Sequence, residues 1–590
     1  MNAGEATTLW ARAFVDELAR AGVRQVAVAP GSRSTPLVLA FAADGRFRMR
    51  VHLDERSAAF FALGVGKGTG VPAAVVTTSG TATANLYPAV IEASQSEVPL
   101  LVLTADRPHR LRDADANQAI DQTRLFGPYV RAFFESAPPS REGPAVRHLR
   151  ALAGRAVLAC REDPSGPVHV NFPFDKPLEP VGTSREGVAF ATQHPLAAGG
   201  RMDGGPFVDA RPGRRAASAG EVARLTDLVA SARCGVVVAG PHAQPWRLGE
   251  AAVRFSAASG FPLLADPLSG ARFRPSGGAL VVDGYDLFLK DAYVRERLVP
   301  DLVVRVGSSP TSSALQGWME HHNGVRHVVV DGGGRWKDHA AIATDYVHAD
   351  AADTLRILAG NASRSVDEGW TWAWSAASAV VGATLEAQAG GEPYEGQVLA
   401  AVARTVPSGS SLFVSSSMPI RDLDAFGARR DEAVTVLGNR GASGIDGVVS
   451  TAFGVAATTA GATVCVLGDV ALFHDQNGLL WSREPDTPVV FVLVDNDGGG
   501  IFHMLPVRDH EPHFTSFFTT PHGLDFQHAA RLHGIPLEDV TVTGLPESLA
   551  RALASGGTRI LRVRTDRSAV HRRRREVIDA VAGSVRAALG

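Results

Sequence analysis

The stretch VHLDERSAAFFALG, residues 51–64, carries the pattern that decides the fold. Its first three residues complete a β-rich run, and residues 58–63 form the apolar centre of a predicted helix. A strand that passes directly into a helix is the repeating element of parallel α/β sheets. Glu55 lies at the turn between the two, where burial makes a charge costly. The pattern therefore predicts an α/β fold, and the position of Glu55 indicates a functional role.

The same alternation of strands and helices recurs along the whole chain. Apolar strand-like runs bounded by Gly, Ser, Asp or Asn appear in three groups, and the clearest runs are QVAVA, AAVVTT and PLLVLTA, then CGVVVAG, DLVVRVG and RHVVVDGG, then SLFVSSS, TVCVLGD and PVVFVLVDN. Continuous apolar strands separated by helices are typical of parallel sheets covered on both faces. We therefore predict three tandem α/β domains with mainly parallel, helix-covered sheets.

Changes in composition suggest where these domains end. Residues 186–220 are rich in Gly, Pro and Ala, and the strand pattern weakens again around 361–390. The predicted organisation is a first domain over 1–185, a linker over 186–220, a central domain over 221–360, a linker over 361–390, and a third domain over 391–590.

Bulk composition excludes several kinds of partner. The 590 residues carry a net charge of -3, which gives no electrostatic reason to expect nucleic acid or a membrane surface. No apolar run approaches the length of a membrane span, and the first 22 residues lack the pattern of a signal peptide. The three cysteines, at 160, 234 and 465, are scattered among apolar residues, which favours free thiols in a reducing cytoplasm.

A polar pair follows two strands of the third domain. Asp469 comes directly after TVCVLG and Asn496 after PVVFVLVD, with one predicted helix at 473–484 between them. Ligands of parallel sheets bind at the carboxyl ends of the strands, and carboxylate, amide and loop carbonyl oxygens suit Mg²⁺. The alternative is structural: Asp469 would cap the next helix and Asn496 would form a turn. Spacing alone leaves both interpretations open.

Together with other motifs, this pair resembles the signature of the thiamine diphosphate (ThDP) enzymes. In that family a Gly-Asp pair followed about 27 residues later by Asn holds the metal that binds the diphosphate, and a glutamate follows a strand of the first domain. The resemblance is closest to the branch that acts in menaquinone synthesis, and it rests on APGSRSTPL, HLDERSAAFFALG, TSGTATANLYPAVIEA, TADRP, NQAIDQ, NRGASGIDG and DNDGGGIF. These motifs run from residue 29 to residue 502, so the resemblance covers all three domains.

The resemblance implies how the cofactor is held. Glu55 would hydrogen-bond the aminopyrimidine ring and, with a raised pKa, share a proton that helps to activate the cofactor carbon. The metal, Mg²⁺ or Mn²⁺, would be bound by Asp469, Asn496 and the backbone of Gly498. The further cofactor contacts implied are Thr78, Ser79, Gly80, Ser443, Ile445 and Gly468.

The resemblance also implies a reaction. In that branch, 2-oxoglutarate loses CO₂ and the remaining fragment adds to isochorismate, so two acidic substrates need several cations with forked geometry. The implied substrate contacts are Ser32, Arg33, Arg107, Asn117, Gln118, Ser417, Arg421, Arg440, Ile501 and Phe502. The chain departs from its relatives at 308–317, where SSPTSSALQG contains no Lys or Arg. That segment of the central domain offers no cation to a substrate.

Two other functions compete with this interpretation. One is another ThDP enzyme, either a 2-oxoacid decarboxylase or an acetohydroxyacid synthase-like carboligase, but four arginines exceed what a monocarboxylate needs. The other is a passive nucleotide-binding protein, which would not need Glu55. The resemblance further implies a homodimer or dimer of dimers, with active sites shared between chains.

Overall fold

The computed structural model describes residues 2–363 and 366–590, whose strands form three six-stranded sheets. All strand pairings in these sheets are parallel, which confirms the predicted fold class. In the first and second sheets several strands are buried at every position, because helices cover both faces of the sheet.

Each sheet takes its strands from one continuous part of the chain. The first contains β1 (Gln25–Val28), β2 (Arg48–Val51), β3 (Ala73–Thr77), β4 (Leu100–Asp106), β5 (Ala132–Glu135) and β6 (Pro167–Pro173), in the order β2-β1-β3-β4-β6-β5. The second contains β7 (Gly235–Ala239), β8 (Leu263–Ala265), β9 (Val281–Val282), β10 (Leu302–Val306), β11 (Arg326–Val330) and β12 (Asp345–Val347), in the order β12-β11-β10-β7-β8-β9. The third contains β13 (Ser411–Val414), β14 (Thr435–Leu437), β15 (Thr463–Gly468), β16 (Val490–Asp495), β17 (Leu537–Asp539) and β18 (Arg559–Arg564), in the order β14-β13-β15-β16-β18-β17.

Helices connect these strands throughout the part of the chain that the structure describes. The first eight are α1 (Ala3–Arg20), α2 (Thr35–Ala43), α3 (Glu55–Thr69), α4 (Thr81–Ala84), α5 (Tyr87–Gln95), α6 (Gly143–Arg161), α7 (Arg185–Gln193) and α8 (Pro195–Gly199). The next seven are α9 (Ala219–Ser231), α10 (Pro245–Ser259), α11 (Tyr285–Phe288), α12 (Ala292–Arg297), α13 (Ser313–His321), α14 (Ala351–Asn361) and α15 (Glu368–Ala387). The last seven are α16 (Glu395–Thr405), α17 (Met418–Phe426), α18 (Val448–Ala456), α19 (Asp469–His474), α20 (Gln527–Leu532), α21 (Leu545–Ser555) and α22 (Arg567–Leu589).

The chain divides into two compact units. Unit 1 consists of Met1–Gly213, Arg440–Thr458 and Asn477–Arg483, and it holds the first sheet. Unit 2 consists of Arg214–Asn439, Thr459–Gln476 and Glu484–Gly590, and it holds the second and third sheets. None of the helices within residues 2–363 and 366–590 combines the length and the apolar composition needed to cross a membrane.

Helix α3 is central to unit 1 because Glu55 is its first residue. The helix ends at Thr69, and Gly70 after it adopts a left-handed conformation with φ of 69°. Along its length α3 packs closely on α18. A Cβ at Gly64 would lie 2.2 Å from the carbonyl oxygen of Thr451, and one at Gly454 would lie 2.1 Å from that of Phe61. Only glycine permits this approach, which fixes the position of the helix that carries Glu55.

The structure adds helices where the sequence predicts linkers. Helices α7 and α8 lie within 186–220, apart from the first residue of α7, and α15 lies within 361–390. The buried residues of α15 (Trp370, Trp374, Ala377 and Val381) recur at helical spacing, a pattern obscured by the surrounding Ala and Ser. Part of the second predicted linker, residues 364 and 365, lies outside the described residues. The domain boundaries themselves stay predictions.

Candidate functional site

The start of α3 separates the structural role of Asp54 from that of Glu55. Oδ1 of Asp54 accepts a hydrogen bond from the backbone N–H of Arg56 at 2.9 Å, so Asp54 caps the helix. Nδ2 of Asn477 donates to the other carboxylate oxygen of Asp54 at 3.0 Å. Glu55 is half-buried, and its Oε2 accepts a long bond of 3.4 Å from Nδ2 of Asn85. Because Asp54 supplies the cap, Glu55 is not required for it.

Hydrogen bonds join four of the predicted site residues in unit 1. Nη1 of Arg107 donates to Oγ of Ser79, and its Nη2 donates to the carbonyl of Asn117 at 2.6 Å. Ser79 and Gln118 form a reciprocal pair: Oγ of Ser79 donates to the carbonyl of Gln118, and Nε2 of Gln118 donates to the carbonyl of Ser79, each at 2.9 Å. The segments after β3 and β4 therefore meet at one edge of the sheet, where parallel α/β folds bind ligands.

Gln122 belongs to this cluster, although the sequence pattern predicts no role for it. Its Oε1 accepts from the backbone N–H of Gly80 at 2.9 Å, and its Nε2 donates to Oδ1 of Asn171 at the same distance. The side chain is fully buried. Gln122 thus holds the turn that carries Ser79 and Gly80, and it could have been found because it ends the quoted motif NQAIDQ.

Two arginines, Arg33 and Arg107, lie close to each other at this edge. Burial and, second, the positive charge of Arg107 lower the pKa of Arg33, although Asp175 and Asp106 oppose this effect. The Nη1 of Arg33 donates to the carbonyl of Phe174 at 3.1 Å, which holds the guanidinium without neutralising it. Two neighbouring cations at a ligand-binding edge favour an anionic ligand. The arrangement suits a carboxylate.

The remaining predicted residues of unit 1 lie on one loop. Arg440, Ser443 and Ile445 belong to the segment before α18, in which Ser443 is exposed and Ile445 half-buried. The loop is attached to α5 by Glu92, whose two carboxylate oxygens accept from the N–H groups of Gly441 at 3.0 Å and Ala442 at 2.7 Å. Glu92 is a second residue that sequence reasoning misses, and no local pattern indicates it.

In unit 2 the structure brings Asp469 and Asn496 together, as their spacing predicts. They follow β15 and β16, which are neighbours in the third sheet. Oδ2 of Asp469 accepts from the backbone N–H groups of Asn496 at 3.1 Å and Gly498 at 2.9 Å. Asp469 is the first residue of α19, and Gly468 precedes that helix as its cap residue. Asp469 therefore binds the loop after β16, and the helix-cap alternative does not describe it.

The connection between these two strands differs from the single helix predicted at 473–484. The chain forms α19 and then a 3₁₀ helix over Gln476–Arg483. Gly478, Leu479 and Trp481 of the latter are buried, and Trp481 stacks on Phe61 with ring centroids 4.2 Å apart. The apolar periodicity that predicted one helix comes from this packing.

The oxygen atoms of Asp469 and Asn496 suit coordination of a divalent cation. Nδ2 of Asn496 donates to Oε1 of Glu395 at 2.7 Å, and Oδ1 is buried without a hydrogen-bond partner among the described residues. A buried amide oxygen without a partner costs free energy unless a ligand satisfies it. Together with a buried Asp469 carboxylate it forms a hard oxygen donor set, which suits Mg²⁺. Within 2–363 and 366–590 no group of three or more His, Cys, Asp or Glu could hold a metal.

The loop after β16 is tightly constrained. Gly498 has φ of 134°, and a Cβ there would lie 2.1 Å from the carbonyl oxygen of Thr519. Gly499 donates its N–H to the same oxygen at 2.8 Å. Nη1 of Arg567 donates to the carbonyls of Asn496 at 2.9 Å and Asp497 at 2.7 Å. Backbone contacts on both sides thus fix the loop that carries the candidate metal ligands.

Two residues near the candidate metal ligands were not predicted. Nε2 of His522 lies 3.3 Å from Oδ2 of Asp469. Glu395 is wholly buried, and burial raises the pKa of its carboxyl while hydrogen bonds from Asn496 and Thr565 oppose that change. His522 stands in a histidine-rich segment without metal-ligand spacing, and Glu395 has no sequence signal at all.

The other predicted residues of unit 2 occupy two further loops. Nη1 of Arg421 donates to the carbonyl of Ser417 at 2.6 Å, which places both at the start of α17, after β13. Ile501 and Phe502 lie in a 3₁₀ helix over Gly500–Met504 and are half-buried. The Phe502 ring packs edge-on against Phe518, with centroids 5.7 Å apart.

Backbone strain marks three of the predicted residues. Gln118, Ser417 and Ser443 have φ of 57°, 72° and 59°, a region that residues with a Cβ rarely occupy. Such conformations persist only where the surrounding structure enforces them, and they concentrate at ligand-binding sites. All three lie on loops that the sequence predicts to bind substrate or cofactor.

Comparisons with known proteins agree with this arrangement. Residues 10–125 match the model for the N-terminal binding domain of thiamine pyrophosphate enzymes, another name for the ThDP enzymes. Residues 214–414 match the model for the middle domain, and 426–563 match that for the C-terminal binding domain. Each of the three sheets thus lies in or overlaps one matched region.

Relatives match almost the whole chain. A 2-succinyl-5-enolpyruvyl-6-hydroxy-3-cyclohexene-1-carboxylate synthase of Halobacterium salinarum is 46% identical over 587 residues, which cover 99% of this chain and 100% of the relative. Proteins of the same name are 40% identical in Haloquadratum walsbyi, covering 98% and 99%, and 40% identical in Chloroflexus aurantiacus, covering 95% and 94%. The chain therefore belongs to the family of 2-succinyl-5-enolpyruvyl-6-hydroxy-3-cyclohexene-1-carboxylate synthases, a branch of the ThDP-dependent enzymes.

Proposed function

We propose that the chain joins 2-oxoglutarate to isochorismate with loss of CO₂, giving 2-succinyl-5-enolpyruvyl-6-hydroxy-3-cyclohexene-1-carboxylate for menaquinone synthesis. The observation that carries the proposal is the charge of the site in unit 1. Arg107 donates to Ser79 at the sheet edge and lies close enough to Arg33 to lower the pKa of Arg33, in a chain whose relatives are named for this product. Neighbouring arginines are suited to acidic substrates.

ThDP is the cofactor that the family resemblance implies. When bound, ThDP supplies a carbanion that adds to the keto carbon of a 2-oxo acid and allows CO₂ to leave. Glu55 would share a proton with the aminopyrimidine ring. It is available for this role because Asp54, not Glu55, caps α3. Ser79, Gly80, Ser443 and Ile445 would contact the cofactor as the family resemblance implies.

Mg²⁺, or Mn²⁺ in its place, would be held in unit 2. Asp469 contributes a buried carboxylate, Asn496 an amide oxygen without a protein partner among the described residues, and Gly498 its backbone carbonyl. These are the hard oxygen ligands that both ions accept. The metal would neutralise the charge of the diphosphate, and Gly468, which precedes α19, would contact the cofactor as the family resemblance implies.

Substrate carboxylates would be bound by the four arginines at positions 33, 107, 421 and 440. The carbonyls of Asn117 and Ser417 hold two of the guanidinium groups in place. Ser32, exposed at the start of the 3₁₀ helix Ser32–Ser34, and Gln118 would add hydrogen bonds. Ile501 and Phe502 would exclude water from the reacting carbon.

We further propose a homodimer or dimer of dimers in the cytoplasm. Glu55 lies in unit 1, whereas Asp469 and Asn496 lie in unit 2, and the family resemblance implies that the two ends of the cofactor contact different chains. The three cysteines are free, and two of them are buried, which fits a reducing compartment.

The proposal is tested by supplying both substrates with ThDP and Mg²⁺ and following the loss of isochorismate and the release of CO₂. We expect both to depend on every component, and pyruvate should not replace 2-oxoglutarate. Efficient use of pyruvate would instead indicate an acetohydroxyacid synthase-like carboligase. Isochorismate loss without ThDP would contradict the proposed reaction.

A further inference from the structure

Glu92 lies at the junction of three segments of unit 1. It is a residue of α5, its side chain contacts Lys67 of α3, and it binds the backbone of the loop before α18. Only 3% of Glu92 and 5% of Lys67 are exposed. Burying a carboxylate and an ammonium removes both from water, so the arrangement persists only if their contacts offset that loss. No step of the proposed reaction uses either residue.

The contacts of Glu92 are directed at the loop. One carboxylate oxygen accepts from the N–H of Gly441 at 3.0 Å, and the other accepts from the N–H of Ala442 at 2.7 Å. Nζ of Lys67 donates to the first of these oxygens at 3.3 Å. Both oxygens therefore face backbone donors of the loop, and Lys67 supplies the counter-charge. Hydrogen bonds to a charged acceptor are about twice as strong as those between neutral groups.

The loop also lies directly against the end of α5. A Cβ at Gly441 would lie 2.5 Å from the backbone nitrogen of Ser96 and 2.8 Å from the carbonyl oxygen of Glu92. The bidentate contact and this close packing fix the backbone at Gly441 and Ala442.

Lys67 is the counter-charge of Glu92. Burial lowers the pKa of Lys67, whereas Glu92 raises it, so the carboxylate favours the charged ammonium.

Gly441 and Ala442 are flanked by proposed site residues. Arg440 comes immediately before Gly441, and Ser443 and Ile445 follow Ala442 within three residues. We propose that Glu92, with Lys67 as its counter-ion, is a positioning residue that holds the loop so that Arg440, Ser443 and Ile445 present the geometry for substrate and cofactor. This inference rests on the proposed function for the roles of those three residues.

The first test measures the loop directly. Glu92→Gln keeps the size of the side chain but replaces one acceptor oxygen with a donor, which faces a backbone N–H and breaks half of the bidentate contact. Hydrogen exchange at Gly441 and Ala442 in the full-length protein should become about tenfold faster or more. Unchanged exchange at both amides would overturn the inference.

The second test measures function against a matched control. Glu17 is also a buried glutamate of unit 1, but its partners lie on other segments: it pairs with Arg150 at 2.7 Å and accepts the N–H of Phe207 at 2.8 Å. Relative to Glu17→Gln, Glu92→Gln should bind ThDP more weakly and raise one substrate KM by about 10- to 100-fold. Faster loop exchange with ThDP affinity and KM equal to those of Glu17→Gln would show a merely structural role.

A second variant protects the test against misfolding. Glu92→Gln removes the carboxylate that balances the buried Lys67, and an uncompensated buried charge is strongly destabilising. The double variant Lys67→Met with Glu92→Gln removes both charges, and it should show the same faster exchange and weaker ThDP binding. Absence of turnover by the parent with 2-oxoglutarate and isochorismate would refute the proposed function, whereas the exchange and ThDP-binding measurements decide the role of Glu92 separately.

Discussion

Nδ2 of Asn496 donates to Oε1 of Glu395 at 2.7 Å, and this contact fixes the orientation of the Asn496 amide. Oγ1 of Thr565 donates to the same carboxylate oxygen at 3.1 Å. Because Oε1 of Glu395 accepts both of these bonds, the amide nitrogen of Asn496 faces Glu395 and the amide oxygen faces away from it. Glu395 thus orients the amide of Asn496, the proposed metal ligand.

Replacing Glu395 should therefore weaken metal binding. Glu395→Ala removes the acceptor that orients Asn496, and we expect about 10- to 100-fold more Mg²⁺ to be needed for half-maximal ThDP binding. Glu395→Gln keeps an acceptor oxygen and should remain closer to the parent. The measurement is a Mg²⁺ titration of ThDP binding by calorimetry, with Asp469→Ala as the variant that loses a ligand outright. Equal Mg²⁺ requirements for Glu395→Ala and the parent would contradict the orienting role.

Glu55→Gln should keep the fold and ThDP binding but lose activity by about 10²- to 10⁴-fold, as removal of general acid–base groups does. The fold should survive because Asp54, not Glu55, caps α3. Steady-state rates measure the loss of activity, and ThDP titrations measure whether cofactor binding is kept. Near-normal turnover by folded Glu55→Gln enzyme would rule out its role in cofactor activation.

Arg421 and Arg440 should act on substrate charge. Lysine at either position keeps the charge but loses the forked guanidinium, so we expect a large rise in the KM for one substrate. In Arg421→Lys the ammonium can still donate to the carbonyl of Ser417, which should preserve the start of α17. The KM of each substrate is measured by varying one substrate at a saturating concentration of the other. If both variants keep the KM values of the parent, these arginines do not bind the substrate carboxylates.

His169 should make unit 1 sensitive to acid. Burial lowers its pKa from 6.5 to about 3, while Nε2 lies 2.7 Å from Oγ1 of Thr104. Below pH 6.5 His169 is protonated in the unfolded chain but stays neutral in the folded protein. The free energy of unfolding therefore decreases as the pH falls towards 3. Between pH 7 and 4.5 the parent should lose about 2–3 kcal/mol more than His169→Gln. Urea unfolding at both pH values tests this, and equal losses would contradict it.

Structural features can be predicted from this sequence where the pattern that indicates them lies within a short segment. Strands such as β7 and β10 are continuous runs buried on both faces, so their composition identifies them. β5 and β17 are short edge strands with partly exposed residues, and their sequences AFFE and LED carry no comparable pattern. Asp469 and Asn496 are predictable because neighbouring strand ends meet.

Supporting residues of the site are not predictable in this way. Glu395 meets Asn496 across 101 residues, and Glu92 meets Gly441 and Ala442 across 349 and 350. Each lies in an ordinary helix, where a single glutamate usually faces solvent. Their roles follow from contacts between segments far apart in the chain, and the amino-acid sequence alone does not reveal such contacts.

The last prediction concerns sites shared between chains. Glu55→Gln chains and Asn496→Ala chains, each nearly inactive alone, are mixed in equal amounts and allowed to exchange subunits. If one site uses Glu55 of one chain and Asn496 of the other, a mixed dimer has both lesions in one site and none in the other. About half of the dimers are then mixed, and activity should rise towards roughly a quarter of the parental value. Sites built within single chains would each keep one lesion, so no activity would return. Labelled subunits verify exchange independently, and no recovery after verified exchange would refute the shared-site proposal.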